Sequence, residues 1–147
     1  MENKGENMVL LNLAQAEAEI IKDCIIKKSG IEDVQIRVKI QRRGFSRAHN
    51  RTASIPYWAY TRGTSYFTYY VIHELTHQIV WDKDKNYRHD NTFKNLEQSL
   101  LLDYGMIPEY AGSYAKGLIS VQTGEKVYRR EDWEKISVAL CLTSLVK

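Results

Sequence analysis

Tyr69–Trp81, YYVIHELTHQIVW, sets two histidines four positions apart, with a glutamate directly after the first, inside an apolar and aromatic run. On a helix, four residues advance about 400°, so His73 and His77 differ by about 40° in azimuth and stand about 6 Å apart along the axis. Two imidazoles so placed can meet one metal ion at the zinc–nitrogen distance of about 2.0–2.1 Å. Glu74 lies about 100° round from His73, at the rim of that face, where it can reach a metal-bound water without being a ligand. Tyr66 and Tyr70 fall on the histidine face, while Val71, Leu75 and Ile79 fall on the opposite one, with Ile72 on its flank. The pattern predicts a helix running to about Trp81, with one face in the core and the other presenting chemistry. Thr64 or Ser65 is its expected cap.

His73-Glu74-Leu75-Thr76-His77 is a short pattern, and two core or surface histidines flanking a glutamate would look the same. A third ligand separates the readings, because a catalytic zinc site takes three protein ligands and leaves one position for water. His89 follows His77 by twelve positions, beyond the polar stretch DKDKNYRHD and just ahead of a helical pattern starting near Asn91. Glu97 is the rival ligand, with nineteen residues between it and His77, the spacing of thermolysin-like gluzincins.

HELTHQIVW followed by RHDNTFKNLEQSLLLDYG resembles the SprT-like zinc metallopeptidases. These carry HExxH on one helix, then a third histidine followed after a short gap by an aromatic residue. His89 and Phe93 stand in that relation here, with Asp90 where the family usually has glycine. The resemblance spans residues 34–105 and favours His89 over Glu97. It implies an α+β, zincin-like fold, a small mixed sheet against the helix that carries the motif. It also implies a Zn²⁺ cofactor and proteolysis of DNA-associated proteins. The zinc ribbon that many members append has no counterpart in Cys24 and Cys141, and no histidine lies six positions after His77 as in metzincins, so Met106 is not read as a Met-turn.

Outward from the motif, Val34, Ile36, Val38 and Ile40 alternate with Gln35, Arg37, Lys39 and Gln41, which predicts a strand with one buried face. RRGFSRAHNR reads as a turn and TASIPYWAY as a second extended segment, at a sheet edge because Pro56 cannot donate to a ladder. In zincins the edge strand pairs with the substrate peptide, and TASIPYW is the candidate for that strand. Ser54 and Tyr57 on it join Tyr66 and Tyr70 as candidate substrate or transition-state contacts. Residues 8–28 carry Leu10, Leu11, Leu13, Ile20, Ile21, Cys24 and Ile25 at helical spacing and stop at Gly30. NTFKNLEQSLLLDYG is a helix closed by Gly105. Pro108 is expected to open a short helical piece, LISVQTGEKVY to form a hairpin at Thr123-Gly124, and REDWEKISVALCLTSL to form a terminal amphipathic helix.

At 147 residues the chain is expected to be a single domain, 1–147, with a real core. Acids among the first residues and polar breaks at Asn12, Gln15, Glu17 and Glu19 argue against a secretory signal. The chain has no run long enough for a membrane span. Two distant cysteines signal no disulfide framework, so the cytoplasm is the expected compartment. A net charge of +3 is too mild to name a partner. Residues 34–63, however, hold Arg37, Lys39, Arg42, Arg43, Arg47, Arg51 and Arg62 without one acid, beside an aromatic-rich stretch. That combination can also bind nucleic acid.

The expected function is therefore a zinc metallopeptidase. His73, His77 and His89 hold the metal, and Glu74 is general base to the activated water. The alternative is a non-catalytic nucleic-acid-binding or zinc-stabilised interaction module that uses segment 34–63.

Overall fold

The structure is a computed structural model that describes residues 4–31, 33–47 and 51–130. It is mixed α+β, and its internal contacts define two compact units, Met1–Leu100 and Leu101–Lys147.

The first unit opens with α1 (Lys4–Ser29), which stops where Gly30 takes a left-handed φ of 74°. The helix is the expected one, and its apolar positions divide between core and surface. Ala14, Ala18, Ile21 and Ile25 are buried, whereas Leu10, Leu13, Ile20 and Cys24 are exposed. The small alanines let the helix backbone come close to its neighbours, so the contact line runs through them and the larger side chains flank it.

β1 (Gln35–Lys39) buries Ile36 and Val38 on one face, as its alternation requires. β2 (Phe45–Arg47) and β3 (Thr52–Pro56) complete a three-stranded sheet in the order β1-β3-β2. β1 runs parallel to β3, and β2 runs antiparallel to it. Two expectations change here. β3 is the central strand rather than an edge. Pro56 is tolerated because it is the last residue of the strand, and the chain turns there directly into α2 (Tyr57–Thr61), with Pro56 as N-cap. With a strand on either side, β3 has no edge to offer a peptide. The expected turn 42–51 contains β2, whose three residues are too few to show an alternation.

The two edges of this sheet differ. Along β1, the Gln15 amide donates to the Ile36 carbonyl (2.8 Å) and accepts from the Val38 N–H (2.7 Å), so a side chain from α1 occupies the ladder positions of a further strand. β2 instead is tied to α3 (Thr64–Asp84), where the Ser46 hydroxyl donates to the Glu74 carbonyl at 2.6 Å.

α3 starts from Gly63, which has a φ of 104° and no side-chain cap, so Thr64 and Ser65 lie inside the first turn rather than capping it. The expected presenting face is also covered. From Tyr66 to Val80 every residue but Tyr70 is buried, because α3 packs against α1, α2, β2 and β3. A helix buried on all sides must pair the polar groups it carries. Here those groups include both histidines and Glu74.

The turn before β2 is fixed by close approach. The Gly44 N–H donates to the Tyr70 hydroxyl at 2.7 Å, and the Trp58 indole donates to the Arg42 carbonyl at 2.8 Å. A Cβ on Gly44 would stand 2.4 Å from Tyr70 Cε1 and 2.8 Å from the Ser54 carbonyl oxygen. Gly44→Ala is therefore expected to lower stability by about 1–3 kcal/mol, the usual cost of overpacking, read as an earlier urea midpoint. An unchanged midpoint would show that the turn can move away from the Tyr70 ring.

α4 (Asn91–Asp103) follows, and Gly105 with a φ of 74° comes just past its end. In the second unit β4 (Met106–Ala111), β5 (Tyr114–Ser120) and β6 (Lys126–Arg129) form an antiparallel meander. Pro108 does not begin a helix. It pairs with Leu118 inside β4, an outer strand where a missing N–H is tolerated. The Thr123-Gly124 turn joins β5 to β6 as expected, with the Gly124 N–H donating to the Ser120 carbonyl. The expected terminal helix falls on residues outside those described. Among the described residues, no helix is long and apolar enough to cross a membrane.

Candidate metal centre

One helical turn of α3 sets the His73 and His77 rings 5.1 Å apart, centroid to centroid. The chain then leaves α3 through Lys85, which is left-handed at a φ of 55° and whose N–H donates to the Trp81 carbonyl. Residues 85–89 have no regular structure, but both flanks are held. Asn86 Oδ1 accepts from the Arg88 N–H (3.0 Å), and Asp90 Oδ1 accepts from the Phe93 N–H (3.1 Å). The second bond is an N-cap, so the aspartate standing in the glycine position of the resembled motif starts α4. This return brings the His89 ring to 4.8 Å from His77 and 4.9 Å from His73.

The three histidines offer one nitrogen each within 4.8 Å of one another, close enough to hold a single metal ion. His77 Nε2 and His89 Nε2 face each other at 3.0 Å. Two nitrogens on a tetrahedral zinc lie roughly 3.3 Å apart at ordinary bond lengths. Burial, then the neighbouring His73 and His89, hold the His77 imidazole well below its usual range, at about 3. Burial, then His73, also lowers His89. Both rings are therefore neutral at neutral pH and have lone pairs to give, the state a metal ligand needs. The two nitrogens stand at hydrogen-bonding distance, and the donor set of three imidazoles fits a metal ion. His77 Nδ1 is buried without a hydrogen-bond partner among the described residues.

Glu97, the rival ligand, stands behind the cluster. Its Oε2 lies 2.6 Å from His73 Nδ1, and the pair is almost wholly buried. That contact occupies Nδ1 and leaves Nε2 as the nitrogen of His73 that can face a metal. Carboxylates commonly orient and strengthen histidine ligands in this way. Phe93 is fully buried and touches all three imidazoles, with centroids 5.0, 4.5 and 4.9 Å from His73, His77 and His89. Its ring forms an apolar wall that holds the rings at their mutual angles and lowers the local dielectric.

Glu74 is buried beside this cluster. Loss of solvent raises its carboxyl to about 7, and the negative charge of Glu97 adds to the shift, while His73 and the Ser46 hydroxyl pull it back. A carboxyl poised near neutrality can both take and return a proton.

The four candidate contacts have partners of their own. The Tyr70 hydroxyl accepts from Gly44. Tyr66 stacks on Trp58 at 6.1 Å beneath the Arg62 guanidinium. Ser54 is buried in central β3, and Tyr57 opens α2 against Tyr60. Two tyrosines passed over in the sequence have rings against the cluster, Tyr69 on His73 at 5.8 Å and Tyr87 on His77 at 5.9 Å. Tyr87 carried a readable signal, since it lies two positions before His89 and side chains two apart on extended chain share a side.

No family model, no curated protein and no solved structure matches the chain.

Proposed function

We propose that the chain is a zincin-like, zinc-dependent peptidase. The observation that carries this reading is the convergence of three imidazoles, at least two of them held neutral, with a buried glutamate poised near pH 7 on the same helix turn. His73, His77 and His89 would hold the ion, and zinc so bound supplies Lewis acidity and lowers the pKa of water. Glu74 takes the proton released as water attacks the peptide carbonyl and returns it to the leaving amine. Glu97 keeps His73 oriented, and Phe93 keeps bulk water off the rear of the rings.

The substrate strand belongs on β2. Its pairing partner in the sheet is β3, on one side, and it is hydrogen-bonded to the backbone of Glu74 itself. The β1 edge is closed by Gln15. An extended peptide added to β2 runs past the general base with main-chain pairing. The basic residues 37–62 and the SprT-like resemblance extend the reading to DNA-associated protein substrates in the cytoplasm.

The test combines metal analysis with a peptidase assay. Purified chain is expected to hold about one zinc and to lose hydrolysis to chelators, with recovery on adding zinc back. His89→Ala is expected to lose the metal. A chain that neither contains nor takes up zinc ends the peptidase reading, and salt-sensitive DNA binding by that metal-free chain would move it to the nucleic-acid module.

A further inference from the structure

Of the three histidines, His89 is the least buried, so solvent reaches the cluster on the side of loop 85–90. The side chain at that mouth is Tyr87, which is 40% exposed. Its ring stacks on Trp81, centroids 4.5 Å apart and planes 22° off parallel, and meets His77 edge-on at 5.9 Å. Trp81 is one turn beyond His77 on α3, so ligand, tryptophan and tyrosine form a continuous aromatic surface leading out from the metal position. The loop cannot easily swing this surface away, because the Lys85 turn and the Asp90 cap pin its ends and Arg51 binds Asp82 at 3.0 Å beside it. Phe93, Tyr66 and Tyr69 are buried, so their rings complete the core, whereas the outer part of Tyr87 remains open.

We propose that the Trp81–Tyr87 stack is the wall of a side-chain subsite at the mouth of the histidine cluster, taking an aromatic or large aliphatic residue of the peptide next to the cleaved bond. The inference rests on the peptidase reading and adds the substrate class. A rigid, half-exposed aromatic pair selects by the apolar area it covers. Partial cover by one wall corresponds to about a 10-fold preference in Kd.

The probe is a set of labelled hexapeptides that differ at one central position, Phe, Leu, Ala or Lys. They are titrated by fluorescence anisotropy into zinc-loaded Glu74→Gln chain, which holds them uncut. The Phe and Leu peptides are expected to bind about 10-fold tighter than the Ala and Lys peptides. Tyr87→Ala in the same background is expected to reduce the gap to about twofold, and Tyr87→Phe to keep it, because the stack needs the ring and not the hydroxyl. Circular dichroism and zinc content confirm that each variant is folded and loaded. Equal affinity for all four peptides, or a gap that survives Tyr87→Ala, overturns the inference. Wild-type chain on the same peptides separates the two ideas. Preference without cleavage removes the peptidase reading and leaves the subsite, while cleavage without preference removes the subsite alone.

Discussion

Glu74→Gln is expected to keep zinc and lose peptide hydrolysis, with kcat falling about 10²–10⁴-fold. Glutamine has nearly the same shape, so the helix and the three imidazoles stay in place, but its amide cannot accept the proton. Retained zinc with full turnover would remove Glu74 from the chemistry. The same variant has a second signature in the metal-free protein. The Glu74 carboxyl is raised from 4.5 to about 7, so the folded chain binds more protons than the unfolded one between those values. Its contribution to stability is present below about pH 4.5 and is lost as pH rises through 7. Above pH 7 the metal-free wild type holds a buried carboxylate at a cost of roughly 3 kcal/mol. Metal-free Glu74→Gln should therefore be the more stable protein at pH 8, by up to about that amount, and lose the advantage towards pH 4.5. His77 has the opposite sign. Its folded value of about 3 lies below 6.5, so its contribution is present above pH 6.5 and is lost as pH falls towards 3. Urea unfolding at pH 5 and 8 reads the Glu74 difference, since His77 is common to both chains. Equal midpoints at pH 8 would contradict a desolvated carboxyl.

Glu97→Gln is expected to weaken zinc binding by about 10–100-fold without abolishing it, the range found when a histidine ligand loses its carboxylate partner. The 2.6 Å contact to His73 Nδ1 leaves Nε2 as the nitrogen that can face a metal, and a carboxylate partner makes an imidazole a stronger donor. Glutamine keeps the hydrogen bond and loses the charge. Glu97→Ala should go further, because Glu97 is fully buried. It leaves His73 Nδ1 without this partner and opens a cavity, with a stability loss of about 2–4 kcal/mol. Competition against a chromophoric chelator measures the affinities, with His89→Ala as the reference for a lost ligand. Glu97→Gln as metal-free as His89→Ala would mean that Glu97 ligates the ion directly, and wild-type affinity would mean that the contact does not tune the metal.

The legible parts of the molecule are those whose pattern repeats within one element. Ile36 and Val38 alternate with charged and polar neighbours, and β1 is where that alternation lies. Gly30 and Gly105 follow helix ends with positive φ, and Gly124 turns the β5–β6 hairpin. His73 and His77 share a helical face by arithmetic alone. Misreadings arose where an element borrows its environment. Pro56 suggested an edge strand, but it closes a central one. Leu10, Leu13 and Ile20 stand at helical spacing yet are exposed, while Ala14 and Ala18 pack beside Ile21 and Ile25. Pro108 suggested a helix start and lies in a strand.

By itself, the sequence determined the helix that carries HELTH, the strand before it, the helix after His89 and the residue types able to bind a metal. Local spacing and turn chemistry are sufficient for these. Only the tertiary structure decided that His89 closes on His77, that Glu97 backs His73, that β3 is the central strand of its sheet, and that the Tyr87 ring lies against His77 and Trp81. Each of these depends on contacts between residues distant in the chain, which packing selects and no local period encodes.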